Sequence, residues 1–239
     1  MLDRFIATVA GSVALVTGLA CSQSVPEDSA LTAKWKDATL YDLPVRTLEG
    51  EESNLREHGG KVTLVVNVAS RCGLTGQYAA LEKIADKYRA QGFEVLAFPS
   101  GDFGGQEFAE ASQIREFCST RYGVSFPMFE KTRVKSGEGQ SPVFECLGTK
   151  TGELPGWNFG KYLVSRDGKT AQFFASTMAP DSARVIEAIE KALKEPVPAE
   201  FAQPKADAAD AVKDAKEAAK EAAKKATAPA QAPAGSGTN

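Results

Sequence analysis

The residues best suited to chemistry in this chain of 239 are four cysteines: Cys21, Cys72, Cys118 and Cys146. None stands three positions from another, so the local dithiol exchange of a C-x-x-C pair is excluded, and any disulfide must join distant parts of the sequence. Cys72 is distinguished by its position in VNVASRCGLT, residues 66–75, just past an apolar run and just ahead of an amphipathic one. Where a strand gives way to a helix beginning near Thr75, N–H groups without intrahelical partners favour an anionic sulfur, and Arg71 adds positive charge. A thiolate there is a nucleophile, whereas a thiol sealed into packing is inert, and free cysteines are common in cores. Position alone leaves both readings open. Cys118 lies on the apolar stripe of a later helix, where an ordinary core cysteine is the plain reading. Cys146, in SPVFECLGT, has no contextual cue. Pairing either with Cys72 would require Cα atoms roughly 4.4–6.8 Å apart.

Other chemistries are poorly supported. His58 is the single histidine and reads as a surface turn residue in REHGG. A metal site would need more ligands, and a Cys-His nucleophile pair would need proximity that the order of elements does not suggest. Gly104-Gly105 belongs to no phosphate-binding motif. No cofactor and no metal are expected. With 28 basic and 31 acidic side chains the net charge is -3, and there is no nucleic-acid footprint.

The elements that must position Cys72 occupy the middle of the chain. KVTLVVNV at 61–68 reads as a largely buried strand, and TGQYAALEKIADKYRA at 75–90 as a helix with Tyr78, Leu81, Ile84 or Ala85, and Tyr88 on one face. FEVLAFP at 93–99 is a second strand. QIREFCSTRY at 113–122 is a second helix burying Ile114, Phe117 and Cys118. FGKYLV at 159–164 and AQFFA at 171–175 flank an Asp167-Gly168 bend and form an antiparallel hairpin. DSARVIEAIEKAL at 181–193 is a closing helix that Asp181 can cap, burying Val185, Ile186, Ile189 and Leu193. A βαβ unit, a hairpin and a closing helix are the order of a thioredoxin-like fold: α/β, with a central mixed sheet flanked by helices. In an open α/β sheet the crevice at the carboxyl ends of the strands binds ligands, and Cys72 falls there.

Both ends read differently. Residues 1–21 carry Arg4 and then an apolar stretch broken by small or hydroxylated residues, which fits a secretory signal better than a permanent membrane span. Ala20, Cys21 and Ser22 resemble the end of a bacterial lipoprotein signal, although Gly18 stands where that motif usually has an aliphatic residue. The resemblance implies lipidation of Cys21 and membrane attachment at the bacterial cell envelope, facing the periplasm. Ordinary cleavage to a soluble periplasmic or secreted protein is the alternative. Residues 22–34 are then a tether, 35–194 the folded domain, and 195–239 a low-complexity tail rich in Ala, Lys, Glu and Pro.

VNVASRCGLT, FPSGDFGGQEF, FPMFEK and GWNFGKYLV occur in that order, and from about Tyr41 to Leu193 the chain resembles the glutathione peroxidase family. The likeness is greater to its smaller cysteine-containing, thioredoxin-using members than to its selenium enzymes. On that resemblance Cys72 is the peroxidatic residue, Gln106, Trp157 and Asn158 complete a catalytic tetrad, and Cys118 in REFCSTRYGVSFP is the resolving cysteine. Without it, Gln106 reads as a solvated loop residue, Trp157 as a packing anchor and Asn158 as a turn former. The resemblance also implies a peroxide substrate and a thioredoxin-like protein or other thiol as reductant. It implies a monomer, because CLGTKTGELPG runs directly into Trp157 without the insertion that tetrameric relatives use. Ser100, Gly101 and Asp102 stand where the family usually has cysteine, asparagine and glutamine, and Phe108 where it has proline. All four lie on the loop that must present Gln106. A peroxide-sensing thiol relay and a non-catalytic envelope-anchored binding module are the competing functions.

Overall fold

A computed structural model describes residues 22–24 and 28–202. The expectations for residues 1–21, including lipidation of Cys21, and for the tail beyond residue 202 lie outside the described residues. The chain separates into two compact units between Pro198 and Ala199, and every element named below belongs to the first.

In chain order the elements are β1 (Ser22–Ser24), α1 (Ser29–Trp35), β2 (Pro44–Arg46), β3 (Glu52–Asn54), β4 (Val62–Val68), α2 (Gln77–Tyr88), β5 (Phe93–Pro99) and α3 (Ala111–Tyr122). They continue with α4 (Pro142–Thr151), β6 (Glu153–Pro155), β7 (Lys161–Val164), β8 (Ala171–Phe174) and α5 (Ala183–Leu193). The main sheet has the order β5-β4-β7-β8. β4 runs parallel to β5 and antiparallel to β7, so the sheet is mixed. All seven β4 residues are buried, which explains why only Thr63 and Asn67 interrupt its apolar run: a strand covered on both faces need not alternate apolar with polar. Val62, Leu64, Val66 and Val68 join a core with Tyr78 and Leu81 of α2, Ile114 of α3, and Val185 and Ile189 of α5. On the other side Phe98 meets Phe144 of α4, which meets Tyr162 of β7. The α/β, thioredoxin-like expectation therefore holds, with helices on both faces of the sheet.

Three details depart from the sequence reading. Part of the expected tether is folded: β1 pairs with β6, and Asp28 caps α1 by accepting from the Ala30 N–H at 2.8 Å. Trp35 at the end of α1 is buried and its indole N–H donates to Glu145 of α4 at 3.1 Å. Helix α5 is preceded by Ser182 rather than Asp181 as its cap residue, and of its four expected core residues Val185 and Ile189 are fully buried. Helix α4 had no counterpart in the sequence reading, although Ser141-Pro142 at its start and Gly152 (φ 73°) at its end are helix-boundary signals. The Asp167-Gly168 bend is as expected, with Gly168 at φ 71°, and a Cβ there would lie 2.3 Å from the Thr39 hydroxyl.

Candidate active site

Residues 69–76 link the buried end of β4 to α2, and the side chain of Thr75 staples this turn. Its hydroxyl donates to the Ala69 carbonyl at 2.9 Å and accepts from the Cys72 N–H at 2.9 Å. The half-buried Cys72 sulfur accepts from the Leu74 N–H at 3.4 Å. Helix α2 begins at Gln77, so the donor nearest the thiol belongs to the turn rather than to the helix. Arg71 is engaged elsewhere: its guanidinium donates to the Glu107 carbonyl at 2.9 Å and lies over the Phe108 ring.

The second segment, 100–110, follows β5. The Arg71 N–H donates to the Gln106 carbonyl at 2.9 Å, tying this loop to the Cys72 turn through main chain. Gly104 and Gly105 both have positive φ, 69° and 61°, a pair of turns that residues with a Cβ adopt rarely. Three of the four residues that depart from the expected family pattern, Ser100, Asp102 and Phe108, make defined contacts. Ser100 Oγ accepts from the Asp102 N–H at 3.3 Å, and the Asp102 carboxylate accepts from the N–H groups of Val134 and Lys135 at 2.7 and 2.9 Å. Phe108 packs against Phe117 of α3.

The third segment, 156–160, leads into β7. Asn158 is fully buried, and its amide donates to Gln106 Oε1 at 3.1 Å and toward the Phe103 carbonyl at 3.5 Å. Trp157 is 39% exposed, with its ring 5.9 Å from that of Phe103. Its carbonyl accepts from Asn67 Nδ2 and Ser176 Oγ, both at 3.1 Å. Phe159 has φ 68° and donates its N–H to the Asn67 carbonyl at 2.6 Å. Gln106 and Asn158 are thus in direct contact, Trp157 packs on the Gln106 loop, and the Cys72 turn is bound to that loop by backbone. None of the four lines the cleft of about 540 Å³ beside Arg46, Phe98 and Phe129.

Cys118 on α3 is 1% exposed, and burial pushes its thiol up to about 11. Cys146 is buried within α4 and is likewise pushed up to about 11 by burial. The three described cysteines are free. His58, expected at the surface, is buried, with Nδ1 2.8 Å from a Glu94 carboxylate oxygen that also accepts from Lys61. This cluster ties the start of β4 to β5 and has the character of a structural ion pair.

Sequence reasoning missed Lys161. In strand β7 it pairs with Val66 of β4, and its side chain is completely buried. The ammonium donates to the Phe159 carbonyl at 2.5 Å and to the Ser176 carbonyl at 3.5 Å, bracing the turn that carries Trp157 and Asn158. Burial lowers its pKa from 10.5 to about 7. Above pH 7 the unfolded chain therefore holds a proton that the folded chain loses, so Lys161 makes the fold more stable as pH rises. From pH 7 to about 8.5 the gain is at most about 2 kcal/mol. At higher pH the unfolded cysteines ionise while buried Cys118 and Cys146 resist, which acts in the opposite direction. Urea unfolding of Lys161→Met at pH 7 and 8.5 is expected to lack the rise seen in the parent. An equal rise in both would show that the amine stays charged when folded.

Comparisons with known proteins identify relatives of the folded region. A family profile described as "Glutathione peroxidase" matches residues 40–148, a span that includes Cys72, Gln106 and Cys118 but stops before Trp157. The chain is 39% identical over 153 residues to a probable phospholipid hydroperoxide glutathione peroxidase of Citrus sinensis, covering 62% of this chain and 91% of that one. It is 40% identical over 156 residues to the hydroperoxy fatty acid reductase gpx1 of Synechocystis, covering 60% and 90%. The alignment with the chloroplastic phospholipid hydroperoxide glutathione peroxidase 1 of Arabidopsis thaliana is 40% identical and spans 60% of this chain and 63% of the plant protein. Among solved structures, apo Trgpx superposes with a TM-score of 0.54 at 32% identity, covering 67% of this chain and 99% of that one. With a curated relative at 39% identity matched over nine-tenths of its length, the chain belongs to the glutathione peroxidase family of peroxidase enzymes.

Proposed function

We propose that the chain reduces hydrogen peroxide and organic or lipid hydroperoxides through Cys72, with Cys118 resolving the oxidised sulfur and a thioredoxin-like protein or other thiol restoring both. The observation that carries this reading is the 3.1 Å contact between the Asn158 amide and Gln106 Oε1, on a loop whose Gln106 carbonyl is bonded to Arg71, next to Cys72. That contact orients two neutral amides at the end of β4. Asn158 uses its N–H to hold the Gln106 oxygen, which leaves the Gln106 amide nitrogen as the donor to be turned toward reacting atoms.

In the proposed cycle the Cys72 sulfur attacks one peroxide oxygen. The S–O bond forms as the O–O bond breaks, and the departing oxygen takes a proton to leave as water or an alcohol. Cys72 becomes sulfenic acid, the first rung of its oxidation ladder. Gln106 and the Trp157 indole N–H stabilise charge developing on sulfur or oxygen, and neither is a cation that would lock the thiolate in an ion pair. The Cys118 sulfur then attacks Cys72, water leaves, and exchange with an external dithiol reopens the disulfide. The names of the plant and cyanobacterial relatives, which act on phospholipid or fatty-acid hydroperoxides, support the inclusion of lipid substrates. The same reading puts a monomeric domain at the bacterial cell envelope, held through lipid on Cys21.

One equivalent of hydrogen peroxide, followed by alkylation of free thiols and mass mapping, tests the cycle. A Cys72–Cys118 disulfide with Cys146 still free is expected. Sulfenic acid at Cys72 persisting for minutes, with Cys118 alkylated, would remove Cys118 from the scheme.

A further inference from the structure

The strained point of the backbone lies inside the candidate site. Phe159 is the one residue other than glycine with positive φ, 68°, among the described residues, and it directly follows Trp157 and Asn158. A bulky residue holds that conformation only where its surroundings over-determine it. Two partners do so. The Phe159 N–H donates to the Asn67 carbonyl at 2.6 Å, and the Phe159 carbonyl accepts from Lys161 Nζ at 2.5 Å. Lys161 is the only buried lysine among the described residues, and its amine donates to backbone carbonyls, those of Phe159 and Ser176. Buried cations usually meet a carboxylate, so an amine spent on two carbonyls at the edge of a reacting site calls for a reason.

Ser176, in the segment after β8, joins this turn to the one that carries Cys72. Its hydroxyl donates to the Trp157 carbonyl at 3.1 Å, and its own carbonyl accepts from Gln77 Nε2 at 2.8 Å as well as from Lys161 at 3.5 Å. Gln77 is the first residue of α2. Its main-chain N–H donates to the Leu74 carbonyl at 2.9 Å, and the Leu74 N–H is the donor that reaches the Cys72 sulfur. An unbroken series of contacts therefore runs from the sulfur through Leu74, Gln77 and Ser176 to Trp157. It is separate from the series that passes through Arg71, Gln106 and Asn158.

We propose that Lys161 and Ser176 are positioning residues for the peroxide step. Lys161 fixes the left-handed turn at Phe159, Ser176 ties the Trp157 carbonyl to the start of α2, and the Trp157 indole N–H is thereby kept where charge develops as Cys72 attacks. This rests on the reading of Cys72 as the peroxidatic residue and of Trp157 as a donor beside it. Both positioning side chains are buried, so they act through Trp157 rather than on peroxide. A donor stabilises developing charge only when it is already in place, and a displacement of about 1 Å can cost about a hundredfold in rate.

The test uses the full chain carrying Trp35→Phe, which leaves Trp157 as its single tryptophan. One equivalent of hydrogen peroxide is added without reductant, and loss of the Cys72 thiol is timed by rapid quenching, alkylation and mass spectrometry. In Lys161→Met, which keeps an unbranched side chain and loses the donor, oxidation of Cys72 is expected to slow by at least about tenfold. Trp157 emission in the reduced, folded protein should move to longer wavelength and be quenched more readily by acrylamide. Ser176→Ala should show the same pair of changes with a rate loss of about threefold, and serves if Lys161→Met does not fold. A role confined to stability would lower the urea midpoint and leave the folded protein with its rate within twofold and its Trp157 emission unchanged. That result overturns the proposal, as does a slower rate with Trp157 emission unaltered. If Cys72 stays alkylatable in the chain with Lys161 and Ser176 intact, the peroxidatic reading itself falls, and this proposal with it.

Discussion

Cys72→Ser is expected to lose peroxide consumption entirely, a fall of at least about a thousandfold to the uncatalysed background. Serine preserves the shape of the turn, including the N–H that donates to Thr75 Oγ1, so the fold survives the change. What disappears is the polarisable, ionisable sulfur. A hydroxyl stays protonated at neutral pH, and its oxygen has no sulfenic acid state through which to carry oxidising equivalents. Loss of hydrogen peroxide from solution, followed with a thiol reductant present and with circular dichroism as the folding control, reads the result. Full activity in this variant would end the account of Cys72 as the peroxidatic residue.

Cys118→Ser should leave the first turnover within about twofold of the parent and stop the cycle after it. The serine site is buried in the α3 stripe and takes no part in the bond between Gln106 and Asn158, so peroxide should still meet a competent Cys72. Without a second sulfur the sulfenic acid waits, and excess peroxide drives it to sulfinic acid. With a dithiol protein as reductant, steady-state turnover is expected to fall about a hundredfold. A small thiol in millimolar amounts should restore part of it by reaching Cys72 directly. Unchanged turnover with the dithiol protein would show that reductant attacks the sulfenic acid without an intramolecular disulfide.

The long elements were legible because periodicity records burial. β4 is largely apolar since both faces are covered, and α2 repeats its large residues on the face that meets β4. Short elements left no such record. β1, β2, β3 and β6 have three residues each, too few to show alternation, and they exist because another segment lies alongside. Helix α1 is held by Trp35 and Lys34 reaching Glu145, partners 110 and 111 positions away. The His58 reading failed for the same reason, since Glu94 was not a neighbour until β4 paired with β5.

Sequence alone determined the kinds of residue available for chemistry: cysteine 72 at the end of a buried strand, no C-x-x-C, and motifs in family order carrying Gln106, Trp157, Asn158 and Cys118. Those are matters of residue type and local periodicity, which a linear text records in full. Only the tertiary structure decided that Asn158 grips Gln106 across 52 positions and that Lys161 is buried because sheet register sets it opposite Val66. The physical reason is that hydrogen bonds and desolvation act over a few ångströms, and those distances come into being when segments far apart in sequence pack around one sheet.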